Sequence, residues 1–417
     1  MKKLYLQFLF VLFALPVTAQ QAVVDSLLKR ISTSKEDTTK VWLLLKVADI
    51  VVHSEPPKAR TYIQQAELIS QKLKFNAGII RCNETLGESY SLESKTDSAM
   101  IYMEKNLKFT REINDSLQIG IALLNIGAMY RDLSEFEKAL SYSLEGKAIF
   151  ERKRDVSLSS QVNDALQILY YYRTEYDKAI TYGIEAVAQA RKQTDPLLLL
   201  KPLINLSLSY TAKYNYEVSN RLLNEALELA KPMQNPRVDA VIMQNLGEIA
   251  LKNYNIPQAE QYITKCLAIY TKIGDIESQS ICLRGLSVCY LQSRNFTKAL
   301  QYADSALSIN RKNGFIKEEA AILREISLIN YAMGNIKEGY LNDEKSNLMI
   351  EDFIKKITSE KSANLEKRFE TAKKESEIVK LQNEKKIQEL SIQKKEPVEL
   401  CADGWSSHTT HCFPSRL

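Results

Sequence analysis

Residues 125–140 read "NIGAMYRDLSEFEKAL". An amphipathic helix does not by itself require Gly127, Tyr130 and Ala139 at those places, yet all three recur when the stretch is moved by forty residues. From Gly127 the series runs Gly87, Gly127, Gln167, Ser207, Gly247, Ser287, Ser327. From Tyr130 it runs Tyr90, Tyr130, Tyr170, Tyr210, Ala250, Tyr290. From Ala139 it runs Ala59, Ala99, Ala139, Ala179, Ser219, Ala259, Ala299, Gly339. A fourth column is Ala66, Asn106, Gly146, Ala186, Ala226, Cys266, Ala306, Ser346. Four columns in register without an insertion define an internal repeat, and a period of this length belongs to stacked supersecondary units.

Each unit holds two amphipathic stretches, such as "GIALLNIGAMYRDL" and "FEKALSYSLEGKAIFERK", joined by a short turn. Asp115, Asp155, Asp195, Asn235 and Asp275 recur just before the next unit, where N-caps belong. The unit is therefore a helical hairpin, and hairpins of this kind bury their apolar faces by stacking. The expected fold is all-α: a right-handed superhelical solenoid of about eight forty-residue hairpins, followed by a long charged helix. Small residues let helices approach closely. The tyrosine is expected to fill the space between units.

A small residue, an aromatic three later, Ala nine after that and a small residue seven further resemble the tetratricopeptide repeat. Its tryptophan-like slot is filled here by Leu123, Leu203, Met243 and Leu283. The usual unit is about 34 residues; here it is longer, without the helix-ending proline, and the second helices are expected to carry the extra length. The resemblance covers the array from 40 to 359 and implies fold more than chemistry.

The ends differ from the array. Residues 1–19 carry Lys2 and Lys3, the apolar run "LYLQFLFVLFALPV" and the small residues "VTA", the three parts of a cleavable secretory signal. Cleavage near Ala19 would place the chain in the periplasm or outside the cell, with no further membrane span. Residues 20–39 read as an N-terminal capping helix. Residues 351–396, overlapping the end of the array, are rich in charge and free of Gly and Pro. They read as a charged helix or weak coiled coil, a candidate for joining two copies of the chain. Residues 397–417 depart from every pattern and read as a disordered or aberrant tail. Cys401, His408, His411 and Cys412 lie there, but their spacing matches no common zinc site. Cys82, Cys266, Cys282 and Cys289 read as small core residues. Signal, repeat array and charged helix together are similar to the sensor half of bacterial tetratricopeptide-containing membrane histidine kinases and regulators, though the span and output domain of those proteins are missing here.

The net charge of +5 is small and scattered, which argues against nucleic acid as a partner. No P-loop, GxGxxG, HExxH or GxSxG pattern appears, so no catalytic residue, cofactor or metal is assigned and the chain reads as non-enzymatic. His53 stands by itself within the repeats. What remains is the inner surface formed by the first helices, suited to a peptide or protein segment. Asn125, Asn205 and Asn245 share one position of the repeat. The family resemblance implies that asparagine there grips a ligand backbone, a task that suits an amide because it both donates and accepts. Gln244, Arg284 and Arg324 lie one residue earlier, and the arginines suit a carboxylate. The two functional expectations are a scaffold or sensor that binds a peptide in the groove and, alternatively, the truncated sensing region of a transmembrane kinase or regulator.

Overall fold

The computed structural model describes residues 17–359 and the isolated positions 362, 377, 381 and 385. The expected export signal up to residue 16, most of the expected charged helix, and the tail with Cys401, His408, His411 and Cys412 lie outside the described residues. Helix α1 (Val17–Thr33) packs against α2 (Thr38–Val51), which pairs with α3 (Pro56–Lys72). Six hairpins follow: α4 (Asn76–Leu92) with α5 (Thr96–Glu112), α6 (Ser116–Asp132) with α7 (Phe136–Lys153), α8 (Val156–Tyr172) with α9 (Tyr176–Ala190), α10 (Leu200–Ala212) with α11 (Tyr216–Ala230), α12 (Pro236–Lys252) with α13 (Ile256–Ile273), and α14 (Ile276–Gln292) with α15 (Phe296–Asn313). The eighth hairpin joins α16 (Ile316–Ala332) to α17, residues 336–359. Among the described residues there is no strand, and no helix is long and apolar enough to cross a membrane.

The caps fall where the sequence put them. Asp115 accepts from the backbone N–H of Gln118, Asp155 from Leu158, Asn235 from Arg237 and Asp275 from Ser278. Each satisfies one of the donors that a helix start leaves free. Asp195 caps instead a short 3-10 turn, Pro196–Leu199, that leads into α10.

The helix crossings explain the small columns. Ala99, Ala139, Ala179, Ala259 and Ala299 are buried at the crossings within hairpins. A Cβ on Gly127 would lie 2.7 Å from Ser143 Oγ and 3.2 Å from the Ala139 carbonyl oxygen. At Ser287 and Ser327, where serine replaces this glycine, the hydroxyl uses the same proximity, donating to Ala299 O at 2.9 Å and to Gly339 O at 2.7 Å, whereas Ser207 donates to Ile204 O of its own helix at 2.6 Å. Glycine and serine are therefore two solutions to one close approach. Leu123, Leu166 and Leu203, fully buried, fill the layer between successive hairpins.

One expectation is extended and another corrected here. The tyrosine reaches the preceding hairpin, as where Arg60 covers Tyr90 and the Tyr290 hydroxyl donates to Glu260, and it also stacks inside its own hairpin on a second tyrosine twelve residues on. Centroids are 5.5 Å apart for Tyr90–Tyr102, 5.4 Å for Tyr130–Tyr142, 5.3 Å for Tyr170–Tyr182 and 5.4 Å for Tyr290–Tyr302. A cation covers the first ring of each pair, Arg60, Lys138, Lys178 and Lys298 in turn, and Lys105 and Lys147 cover the second ring of two of them. The extra length is not confined to second helices. Helices α4 and α5 both have 17 residues, and α12 and α13 have 17 and 18. The reason is the turn. A residue with left-handed backbone ends nearly every helix, at Lys74, Ser94, Asn114, Ser134, Arg154 and Thr174, and again at Tyr214, Gln234, Tyr254, Gly274, Arg294, Gly314 and Gly334. These positions are twenty residues apart, so the forty-residue unit is two equal halves. At each such turn the chain folds back, as where Lys95 N–H reaches Tyr90 O and Ser94 N–H reaches Ser91 O.

Gly127→Val is expected to overpack the α6–α7 crossing and cost roughly 1–3 kcal/mol in chemical denaturation. Tyr254, 79% exposed and left-handed, is expected to behave oppositely. Tyr254→Gly removes a steric cost of about 1–2 kcal/mol against a smaller entropic loss, and the denaturation midpoint should rise.

Candidate ligand groove

First helices of neighbouring hairpins touch one another, as α2 with α4, α6 with α8, α8 with α10, α12 with α14 and α14 with α16. Second helices do not pack on one another in this way among the described residues. The closer spacing puts the first helices on the inside of the curve, so their outward stripe forms the groove floor.

The six residues expected there are dispersed along that floor, and most are already engaged. Asn125 is half-buried on α6. Asn205 is buried on α10, where its amide donates to Asp164 Oδ1 at 2.8 Å, and Lys201 Nζ stands 3.2 Å from the other oxygen. The Asn245 amide donates to Val241 O of its own helix at 2.9 Å. Gln244 Oε1 accepts from the Tyr270 hydroxyl at 3.0 Å. Arg284 lies 4.0 Å from Glu325, and Arg324 is exposed. The structure thus brings together Asn205, Asp164 and Lys201 in the middle of the array, and Arg284 with Glu325 near its end. Asn125 belongs to neither group.

The column holding Gln244, Arg284 and Arg324 continues upstream through Ile204, Asp164, Leu124 and Glu84. It therefore changes sign along the groove, from carboxylates in the second and fourth hairpins to arginines in the seventh and eighth. Glu84 and Asp164 were missed by the sequence reading, although stepping the same column back by forties finds them.

Around Glu84 the negative charge is concentrated. Arg81 Nη2 is 3.0 Å from Asp49 Oδ1, and Arg81 Nη1 is 3.6 Å from Glu84 Oε2. Glu88, one turn beyond Glu84, is 4.0 Å from His53 Nε2. Burial pushes the carboxyls of Glu84 and Glu88 above the usual range, with Arg81 opposing it and Asp49 adding to it. Burial likewise lowers the His53 pKa, partly offset by Asp49, so the imidazole is neutral at pH 7. Two carboxylates, Asp49 and Glu84, therefore share one guanidinium, whose charge also acts on Glu88. A cleft of about 510 Å³ opens beside them, lined by Trp42, Ile80, Arg81, Glu84 and Gln118 among others. In the fourth hairpin, burial and then Glu248 raise the Tyr171 hydroxyl to about 12, leaving it a proton donor at neutral pH. Among the described residues no group of three or more His, Cys, Asp or Glu side chains is arranged to hold a metal.

Residues 239–312, the sixth and seventh hairpins, match the tetratricopeptide repeat family. The array is tetratricopeptide-like. No curated protein matches the chain by sequence. Its architecture is similar to a signal-transduction ATPase with numerous domains that carries a tetratricopeptide-repeat sensor, from Pyrococcus horikoshii. That pair shares 16% identity at a TM-score of 0.56, over 82% of this chain and 54% of the ATPase, so the chain spans about half of that protein. It is similar also to a Rap protein complexed with competence and sporulation factor, at 10% identity and TM-score 0.57, over 80% of this chain and 93% of that one. A third is the Rap conjugation gene regulator of the plasmid pLS20 in complex with a Phr peptide, at 12% identity and TM-score 0.54, over 82% and 97%. At these identities the likeness concerns the tetratricopeptide-like fold.

The raised Glu88 carboxyl gives a pH test of the groove. A folded-state pKa above the ordinary 4.5 means that the folded protein binds this proton more tightly than the unfolded chain. Its contribution to stability is full below pH 4.5 and is lost as pH rises through the raised value. Glu88→Gln should therefore raise the thermal midpoint at pH 7, and the gain should shrink as the pH falls towards 4.5. Midpoints measured by circular dichroism across that range check this.

Proposed function

We propose that this chain is a non-catalytic binding module, exported from the cytoplasm, that holds an extended peptide or protein segment along the inner face of its first helices. The observation that carries the reading is the column that turns from Glu84 and Asp164 to Arg284 and Arg324 along one groove. An extended segment with a basic group at one end and an acidic group at the other matches both ends at once. Glu84 and Glu88, raised by burial and short of cations, gain from an incoming amine or guanidinium. Arg284 and Arg324 take the carboxylate, with Glu325 limiting how much charge they offer. Between the ends, Asn125 and the amide oxygen of Asn245 would pair with the ligand backbone, and Asn205 acts indirectly by holding Asp164. Main-chain pairing of that kind gives affinity with little sequence preference, while the two charged ends supply selection and a salt-dependent on-rate. The Rap complexes named above show other proteins of this architecture with bound partners.

The test is to pan a displayed library of random peptides on the purified protein and measure the affinity of the peptides recovered. Selected sequences should carry separated basic and acidic residues and bind more weakly as salt rises. Replacing Arg284 and Arg324 together by glutamine should cost about 1.5–3 kcal/mol of binding for each charged hydrogen bond lost. If that double variant, with native helix content, binds the selected peptides as tightly as the parent, the groove reading fails.

A further inference from the structure

The sixth and seventh hairpins meet where α13 packs against α14, and this joint contains two cysteines that face each other. Cys266 and Cys282 are both buried, at 0% and 2% exposure, with their sulfur atoms 3.1 Å apart. Cys266 Sγ also donates to Ile263 O at 3.2 Å. Both belong to a buried apolar cluster with Ala240, Ala259, Ile263, Tyr270, Leu286 and Cys289. A disulfide bond is about 2.05 Å long, so a small rotation about each Cα–Cβ bond brings the sulfurs to bonding distance.

The repeat shows that neither cysteine is needed for packing. The position of Cys266 is alanine in four other units, at Ala66, Ala186, Ala226 and Ala306. That of Cys282 is Ala122, Val162, Ile242 or Ile322 elsewhere. Small apolar residues fill both places without loss of register. The second hairpin supplies an internal comparison. Cys82 occupies the position equivalent to Cys282 and reaches Ile63 O at 3.7 Å, but the residue equivalent to Cys266 is Ala66. In the α3–α4 joint the thiol therefore has no sulfur partner. Both members of the facing pair are cysteine in the α13–α14 joint alone among the seven joints between hairpins.

We propose that Cys266 and Cys282 are a redox pair that closes to a disulfide and staples the sixth hairpin to the seventh. The oxidant is a disulfide donor, either glutathione disulfide or the active-site disulfide of a thiol oxidoreductase. One cysteine thiolate attacks the donor and expels its first thiolate, leaving a mixed disulfide. The second cysteine, having given up its proton, attacks the protein-bound sulfur and releases the donor's second thiolate. Two thiols lose two protons and two electrons, one S–S bond forms, and the donor's disulfide becomes two thiols. In the assembled joint neither sulfur is reachable by a donor, and the hydrogen bond to Cys266 together with burial pushes the Cys282 thiol far up. The bond therefore closes during folding, before α14 settles on α13, or when the joint opens.

The experiment refolds the reduced full-length protein in glutathione buffers of graded redox ratio, denatures it, alkylates the free thiols and maps the cysteines by peptide mass spectrometry. In oxidising buffer the peptides bearing Cys266 and Cys282 should appear joined, lighter by two hydrogens than the separate pair. Cys82 should be alkylated throughout. The linked protein should melt at a higher temperature than the same protein refolded with reductant, and its native form should resist reduction until the joint opens. Cys266→Ala, an alanine in the place where four sister units have one, should keep the helix content and lose both the link and the redox-dependent melting. The proposal is overturned if Cys266 and Cys282 in the folded protein are alkylated as fully as Cys82 at every redox ratio, or if either links to another cysteine instead.

Discussion

The array depends on a steric constraint at the helix ends. A chain leaving a helix must turn sharply enough to run back along it, and the left-handed residue does this in one step. Because that residue returns every twenty positions from Lys74 to Gly334, every helix receives nearly the same number of turns and every crossing falls at the same height. The small columns follow from this timing. Gly127 over Ala139 and Ser287 over Ala299 are the same contact made in different hairpins. So are the ion pairs between successive second helices, such as Arg111 with Glu145 and Arg191 with Glu225, each bridging 34 residues. Those pairs are exposed and individually weak; their regular spacing reflects the timing rather than causing it. One beat is missed. Where position 194 would be left-handed, Asp195 and Pro196 begin a 3-10 turn, and α10 is shortened to 13 residues.

The groove inherits this regularity and spends little stability on it. Asp164, deep in the floor, is held by Asn205 and Lys201, so its charge is satisfied within the protein. Glu84 and Glu88 are less fully satisfied, since Arg81 is shared between Asp49 and Glu84 and acts on Glu88 only through its charge. The interior of the array is thus settled in the middle and under-compensated at the N-terminal end.

Much of the fold could be read from the sequence because the columns that set it are chemically uniform. Alanine at 99, 139, 179 and 299 and aspartate at 115, 155 and 275 announce crossings and caps by residue type alone. The left-handed positions do not, since Lys74, Ser94, Arg154, Thr174, Tyr214 and Gln234 share nothing but backbone angle. The halving of the repeat and the equal helix lengths were therefore invisible. The tyrosine was recognised as a packing residue, but its partner twelve places later lies on the other helix, where periodicity along one helix gives no sign of it. The same blindness affected the cysteines: Cys282 and Cys289 can be compared along one helix, whereas Cys266 and Cys282 meet only after two helices pack. In the groove, the inward position of the six chosen residues follows from the repeat, but their hydrogen-bond partners do not. Asn205 and Asp164 are 41 residues apart, one step of the solenoid plus one.

The twenty-residue timing also gives the chain a parity. Forty residues are two beats, so excising 236–275 would put first helix α14 in the place of first helix α12 and leave every inward column inward. Excising twenty would put a second helix in the place of a first: from that point on, side chains now facing solvent on the second helices would line the groove, and the charged floor would turn outward. The array can accordingly grow or shrink by whole hairpins while its inner surface keeps one identity, and it is intolerant of half a unit even though half a unit is, by backbone shape alone, a complete module.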